Sequence, residues 1–120
     1  MVYNIYRMLS KKYRFHSRGG VRFVYQKGKT VRSSKMSVTV LENERGFTRV
    51  AVVVSKKVLK TAVGRNRIRR RVYEAIRTNF EYVPKKHDYI FTVFSKDVAT
   101  MPFPELVKLL GDLVADSSVL

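Results

Sequence analysis

Residues 63–77 read VGRNRIRRRVYEAIR, with six arginines and one glutamate in fifteen positions. So much charge suits a solvated tail, yet Val63, Ile68, Val72, Ala75 and Ile76 recur inside it. Turned at 100° per residue over 65–80, the residues Ile68, Val72, Ala75, Ile76 and Phe80 fall within an arc of roughly 140°. That arc is wide enough to lie on a sheet. Asn66, Arg70, Tyr73 and Arg77 fall on one flank of it, and Arg67 and Arg71 on the other. Arg69 sits at the margin of the arc. Arg65 points along the arc, in the first turn, where it can project past a sheet edge. The spacing predicts an amphipathic helix, pinned by its core face and presenting most of its arginines as a rigid array.

Working outward, "VVVSKKVLKTA" (52–62) leaves a buried strand and enters this helix. Ser55 or Thr61 can cap a helical turn, and such a junction offers backbone N–H groups to an anion. Lys56, Lys57 and Lys60 stand beside it. Upstream, 17–29 reads as a short first helix with Val21, Val24 and Tyr25 on one face and Gly28 as its stop. Residues 31–42 alternate Met36, Val38, Val40 against Ser37, Thr39, Leu41, a strand with an ambiguous inner face. "NERG" (43–46) reads as a hairpin-type loop. "FTRVAVVVS" (47–55) is nearly all apolar, as expected of a central strand buried on both sides. Downstream, 83–88 breaks the arginine helix, 89–95 is a strand and 99–104 is a second break. Residues 105–117 form an amphipathic helix with Leu106, Leu109, Leu110, Leu113 and Val114 on one face. The order is helix, strands, helix, strand, helix, an α+β architecture or two-layer αβ sandwich.

The chain has 120 residues, suited to one domain with a modest core, and 45% hydrophobic content argues against disorder throughout. Residues 1–16 read as a basic N-terminal arm. No apolar run approaches a membrane span, and the start lacks a signal-peptide core. Cysteine is absent, which excludes disulfides and thiolate chemistry and fits a cytoplasmic location.

Net charge is +16, so a polyanion is the natural partner. Residues 1–41 carry ten Lys or Arg and no acid, and residues 56–77 carry nine bases and only Glu74. From Asp97 onward the balance reverses, with Asp97, Glu105, Asp112 and Asp116 against Lys108, so this segment is expected to face away from the partner. Arginine offers a planar fork of donors suited to phosphate oxygens and base edges. Like charges at i,i+4 destabilise a helix by a few tenths of a kcal/mol each, a repulsion that a bound polyanion cancels.

Nucleotide-binding glycine loops of the Walker or dinucleotide type are absent. His16 and His87 show no paired arrangement for acid–base catalysis, and only Asp88 adjoins them as a metal ligand, so no catalytic residue and no metal site is assigned. A ribosomal protein or RNA chaperone fits the composition and size as well. A membrane-surface protein would want exposed Trp or Phe on a basic amphipathic helix.

The motifs "VVVSKKV…AVGRNRIRRRVYEAIR" (52–77), "VRFVYQKGK" (21–29) and "HDYIFTVFS" (87–95) resemble the protein subunit of bacterial ribonuclease P over most of residues 13–117. The S-K-K to R-N-R-I spacing favours this family over other RNA binders. The resemblance implies an αβ sandwich of order α-β-β-β-α-β-α, with a four-stranded sheet and a left-handed βαβ crossover around the RNR helix, against the usual hand. The third β strand of that order would come from splitting residues 30–42.

The resemblance also implies a role. The protein would join a catalytic RNA, one protein per RNA, and bind the 5′ leader of precursor tRNA. RNA-bound Mg²⁺ would perform the phosphodiester hydrolysis that frees the mature 5′ end. RNA-binding residues on this reading are Lys56, Lys57, Lys60, Arg65, Asn66, Arg67, Arg69, Arg70, Tyr73 and Arg77. The family's leader cleft lies between the first helix and the sheet, here with Val21, Tyr25, Met36 and Thr39. Val21 and Thr39 stand where the family often has rings, and Tyr73 where it often has Arg. Since stacking contributes roughly 1–3 kcal/mol per base, fewer rings imply a leader held more by charge, with Phe15 or Phe23 as compensating rings.

Overall fold

The computed structural model describes residues 18–43, 48–79 and 87–117. The N-terminal arm, Phe15, His16, most of the 43–46 loop, Phe80 and residues 83–86 lie outside that description. The elements are α1 (Arg18–Lys27), β1 (Lys29–Arg32), β2 (Met36–Glu42), β3 (Arg49–Val54), α2 (Ala62–Asn79), β4 (His87–Val93), a 3₁₀ turn (Lys96–Ala99) and α3 (Phe103–Ser117). This is the expected order, α-β-β-β-α-β-α.

The four strands form one mixed sheet in the order β1-β2-β4-β3. β1 with β2 and β2 with β4 are antiparallel, while β3 and β4 run parallel with α2 between them in sequence. Two expectations are corrected here. β2 and β3 are not neighbours, because β4 lies between them, so the 43–46 segment does not close a hairpin. The apolar 47–55 run is an edge strand, not a central one. Its composition reports the cover on its two faces: Val50, Val52 and Val54 are buried on one side and Ala51 on the other.

Run 31–42 is split by a tight turn. The Ser33 N–H donates to the Met36 carbonyl at 2.9 Å, and Ser33 Oγ accepts from the N–H groups of Lys35 (3.3 Å) and Met36 (3.2 Å). A serine side chain thereby does the work usually left to Gly or Asn. Both faces of β2 are buried, which resolves the ambiguity of its alternation. Met36 and Val38 join the main core with Val50, Val52, Val54, Tyr89, Phe91 and Val93. Ile68, Val72, Ala75 and Ile76 of α2 and Leu106, Leu110 and Leu113 of α3 close that core from above. On the opposite face Val24 of α1 packs with Ala51 and Ile90, flanked by Val21, Leu41 and Val53.

Local signals fix the helix ends. Thr61 caps α2: its Oγ1 accepts from the Gly64 N–H at 3.1 Å and its carbonyl from the Arg65 N–H at 3.1 Å. Ser55 instead holds the preceding turn through its carbonyl, which accepts from Val58 N at 3.1 Å. After α1, the Gly28 N–H reaches the Val24 carbonyl at 2.7 Å. A Cβ on Gly28 would stand 2.7 Å from the carbonyl oxygens of both Val24 and Val40, so glycine is what lets α1 close onto β2.

Candidate nucleic-acid interface

The arc assignment of α2 holds at every described position: Ile68, Val72, Ala75 and Ile76 are all buried. The arginines divide into two groups. Arg71 turns onto the chain, donating to the carbonyls of Val98 (2.7 Å) and Met101 (2.5 Å), and so ties α2 to the 3₁₀ turn before α3. Arg65 donates through Nη1 to the carbonyls of Leu59 (3.0 Å) and Lys60 (2.9 Å). It therefore folds back to brace the Lys56–Lys60 turn instead of projecting past a sheet edge. Arg77 pairs with Glu74, and that hydrogen bond holds the Glu74 carboxyl below the usual carboxylate range.

Arg67 and Arg70 are exposed, and among the described residues neither has a hydrogen-bond or ion-pair partner. Lys56, Lys57 and Lys60 are also exposed in the turn that enters the helix. Val63, Asn66, Arg69, Arg70 and Tyr73 line an open concavity of about 400 Å³ along one flank of α2. Within it Arg69 Nη1 donates to Asn66 Oδ1 at 2.5 Å, and the Tyr73 hydroxyl sits 3.5 Å from the Val50 carbonyl of the edge strand. The concavity joins Asn66, Arg70 and Tyr73 as the helical flank predicts, and adds Arg69 and Val63, the latter 76% exposed.

The second surface lies between α1 and the sheet. Strand alternation puts Ser37, Thr39, Asp88, Ile90 and Thr92 on the α1 side. Val21 and Tyr25 face it, and the Tyr25 hydroxyl is hydrogen-bonded to Thr92 Oγ1. Thr39 is on this side but fully buried, its Oγ1 2.9 Å from that of Thr30. Met36 is corrected: it belongs to the main core on the other face, because β2 is covered on both sides and odd and even positions part company. Phe23 is 55% exposed and is not among the core residues. Sequence reasoning missed Phe94, over whose ring the Arg32 guanidinium carbon lies 4.3 Å from the centroid. The alternation Ile90, Thr92, Phe94 was the available signal.

The acids of α3 lie on the sheet face opposite α1 and its cleft. Glu105, Asp112 and Asp116 are exposed on α3, which packs over β1 and β2 while α2 packs over β3. Asp97 takes a hydrogen bond from Lys35 Nζ at 3.4 Å. Asp88 is buried and holds Arg49 and Asn43. Among the described residues no three His, Asp or Glu side chains converge to hold an ion. His87 stands on β4 with its ring 6.1 Å from that of Tyr89. No helix among the described residues is long and apolar enough to cross a membrane.

A family model described as Ribonuclease P matches residues 9–117. The chain belongs to the ribonuclease P protein family. The ribonuclease P protein component of Symbiobacterium thermophilum is 34% identical over 113 residues, covering 93% of this chain and 96% of the relative. That of Blochmanniella floridana is 33% identical over 110 residues, covering 88% and 87%. Among solved structures, a Staphylococcus aureus ribonuclease P protein superposes with a TM-score of 0.62 at 28% identity, covering 93% of this chain and 94% of that one. The Thermotoga maritima ribonuclease P protein gives 0.75 at 24% identity, covering 84% and 94%, a likeness of fold. Membership in the ribonuclease P family makes the chain a protein component of a ribonucleoprotein in tRNA processing, with the ribonuclease P RNA as its partner.

Proposed function

We propose that the exposed flanks of α2 and the Lys56–Lys60 turn bind the ribonuclease P RNA, and that the cleft between α1 and the sheet receives the 5′ leader of precursor tRNA. The protein assists hydrolytic removal of the leader and contributes no catalytic residue. The hydrolytic chemistry would be supplied by Mg²⁺ held by the RNA, and no residue of this chain is assigned to hold it. One protein serves one RNA, in the cytoplasm.

The observation that carries this reading is the state of Arg67 and Arg70. Both stand without partners among the described residues, on a helix immobilised by four buried side chains. A helix fixed by its core, with guanidinium donors left open on its flanks, offers those donors to phosphate. His87, the one described histidine, lies beside Tyr89 on β4.

Reconstitution tests the reading. Precursor tRNA is incubated at low Mg²⁺ with a bacterial ribonuclease P RNA alone, with a nuclease-free preparation of the protein alone, and with both. Accurate leader removal is expected only from the pair. Accurate 5′ cleavage by the protein alone, persisting through repurification and lost in His16→Ala or His87→Ala, would overturn it.

A further inference from the structure

Arg32 ends β1 and is exposed, with one face of its guanidinium against the Phe94 ring. Among the described residues it has no hydrogen-bond or ion-pair partner, so its N–H edge is open. Its place in the sheet is specific. Arg32 pairs in register with Ser37, Ser37 with Thr92, and the Thr92 hydroxyl bonds that of Tyr25. The four residues form one row across the sheet, from α1 to the outer edge of β1, about 10 Å from Thr92 to Arg32 at ordinary strand spacing. Phe94 lies two residues beyond Thr92, and its N–H donates to the Lys35 carbonyl at 2.8 Å, which fixes the ring's base.

We propose that Arg32 and Phe94 form a nucleotide-binding step at the far end of the α1 cleft. A single-stranded nucleobase stacks on the outer face of the guanidinium, and the adjoining phosphate takes its N–H edge. The step rests on the reading that the leader crosses the α1 face. Guanidinium planes and aromatic rings are the two side-chain surfaces that stack single-stranded bases. An arginine on an open strand end would ordinarily be mobile, and the ring anchors this one, 4.3 Å from its centroid. The cleft is aliphatic at Val21 and closed at Thr39, and Arg32 with Phe94 moves stacking capacity to the sheet's opposite end. A lysine at 32 would keep the charge and lose the plane.

The test uses the reconstituted holoenzyme and precursor tRNAs whose leaders carry one abasic nucleotide at successive positions, titrated beside mature tRNA. With the wild type, one leader position beyond the nucleotide nearest Tyr25 should lose affinity on the order of tenfold when abasic. Arg32→Ala, Arg32→Lys and Phe94→Leu should each remove the sensitivity at that position and leave the other positions unchanged. If the holoenzyme does not prefer precursor to mature tRNA, the leader reading itself fails. If it does prefer precursor, and Arg32→Ala and Arg32→Lys show the wild-type abasic profile, this step is wrong and the leader reading stands. Arg32 is exposed, so its two variants decide the matter even where Phe94→Leu does not fold.

Discussion

Arg49 and Asp88 face each other across the parallel β3–β4 pair, and the guanidinium closes on the carboxylate as a fork: Nε donates to Oδ1 at 2.9 Å and Nη2 to Oδ2 at 2.8 Å. Asn43 Nδ2 donates to the same Oδ1 at 2.8 Å. Asp88 is buried, so this carboxylate joins the ends of β2, β3 and β4 where the long connections enter and leave the sheet.

Removing one partner of a buried pair leaves the other charge without compensation, at a cost of about 3–5 kcal/mol. Asp88→Ala should therefore lower the unfolding free energy of the free protein, measured by urea titration, by that order. Arg49→Met combined with Asp88→Leu should recover most of the loss, because well-packed apolar replacements of a buried pair are close to neutral. A loss below about 1 kcal/mol in Asp88→Ala would mark the pair as a solvated surface contact.

The arginines of α2 should separate by what they touch. Arg67→Ala and Arg70→Ala should weaken binding of the ribonuclease P RNA without changing the melting of the free protein, and each lost phosphate contact should reduce the slope of log K against log salt by roughly 0.7–0.9. Arg71→Ala should behave differently, destabilising the fold by about 1–3 kcal/mol through the orphaned carbonyls of Val98 and Met101. Ile68→Ala and Ile76→Ala should cost about 2–5 kcal/mol. Melting by circular dichroism beside a salt-dependent RNA titration checks all five. Arg67→Ala melting as early as Ile68→Ala would refute the division.

That division shows where sequence reading succeeds and stops. The buried face of α2 was legible because one sheet covers it, so the 3.6-residue period survives at Ile68, Val72, Ala75 and Ile76. The destinations of Arg65 and Arg71 were not legible: both reach backbone carbonyls, and carbonyls carry no side-chain signature. β2 hid its inner face because α1 covers one side and α2 and α3 the other, which buries Thr39 as completely as Met36. The turn between β1 and β2 hid because Ser33 builds it without glycine or proline. Phe94 falls inside the 89–95 strand read from the sequence, but Arg32 reaches its ring only through the β1–β2–β4 pairing, which local periodicity does not carry.

Gly28→Ala tests how α1 is seated. The added methyl would meet two backbone carbonyl oxygens at 2.7 Å, and neither can rotate away. Overpacking of this kind costs about 1–3 kcal/mol, and the relief available is a shift of α1 off β2. Both stability and preference for precursor over mature tRNA should fall, while RNA binding through α2 is retained. Unchanged melting and unchanged precursor preference would show that the approach of α1 to β2 is not needed.

Adding rings to the cleft should work at one position and fail at the other. Val21 is half-buried beside Val24 at the rim of the α1 packing, where a ring can extend over the cleft. Thr39 is fully buried, its hydroxyl on Thr30 and its methyl 3.0 Å from where a Cβ on Gly28 would stand, so a tyrosine there would push α1 away. Val21→Phe should tighten precursor binding and flatten its salt dependence, because stacking survives ionic strengths that release phosphate contacts. Thr39→Tyr should destabilise the free protein by about 1–3 kcal/mol and weaken precursor binding. A holoenzyme titration at two ionic strengths, paired with melting of each free variant, checks both. A wild type that already discriminates precursor strongly at high salt, with no gain from Val21→Phe, would show that stacking in this cleft is complete without a ring at position 21.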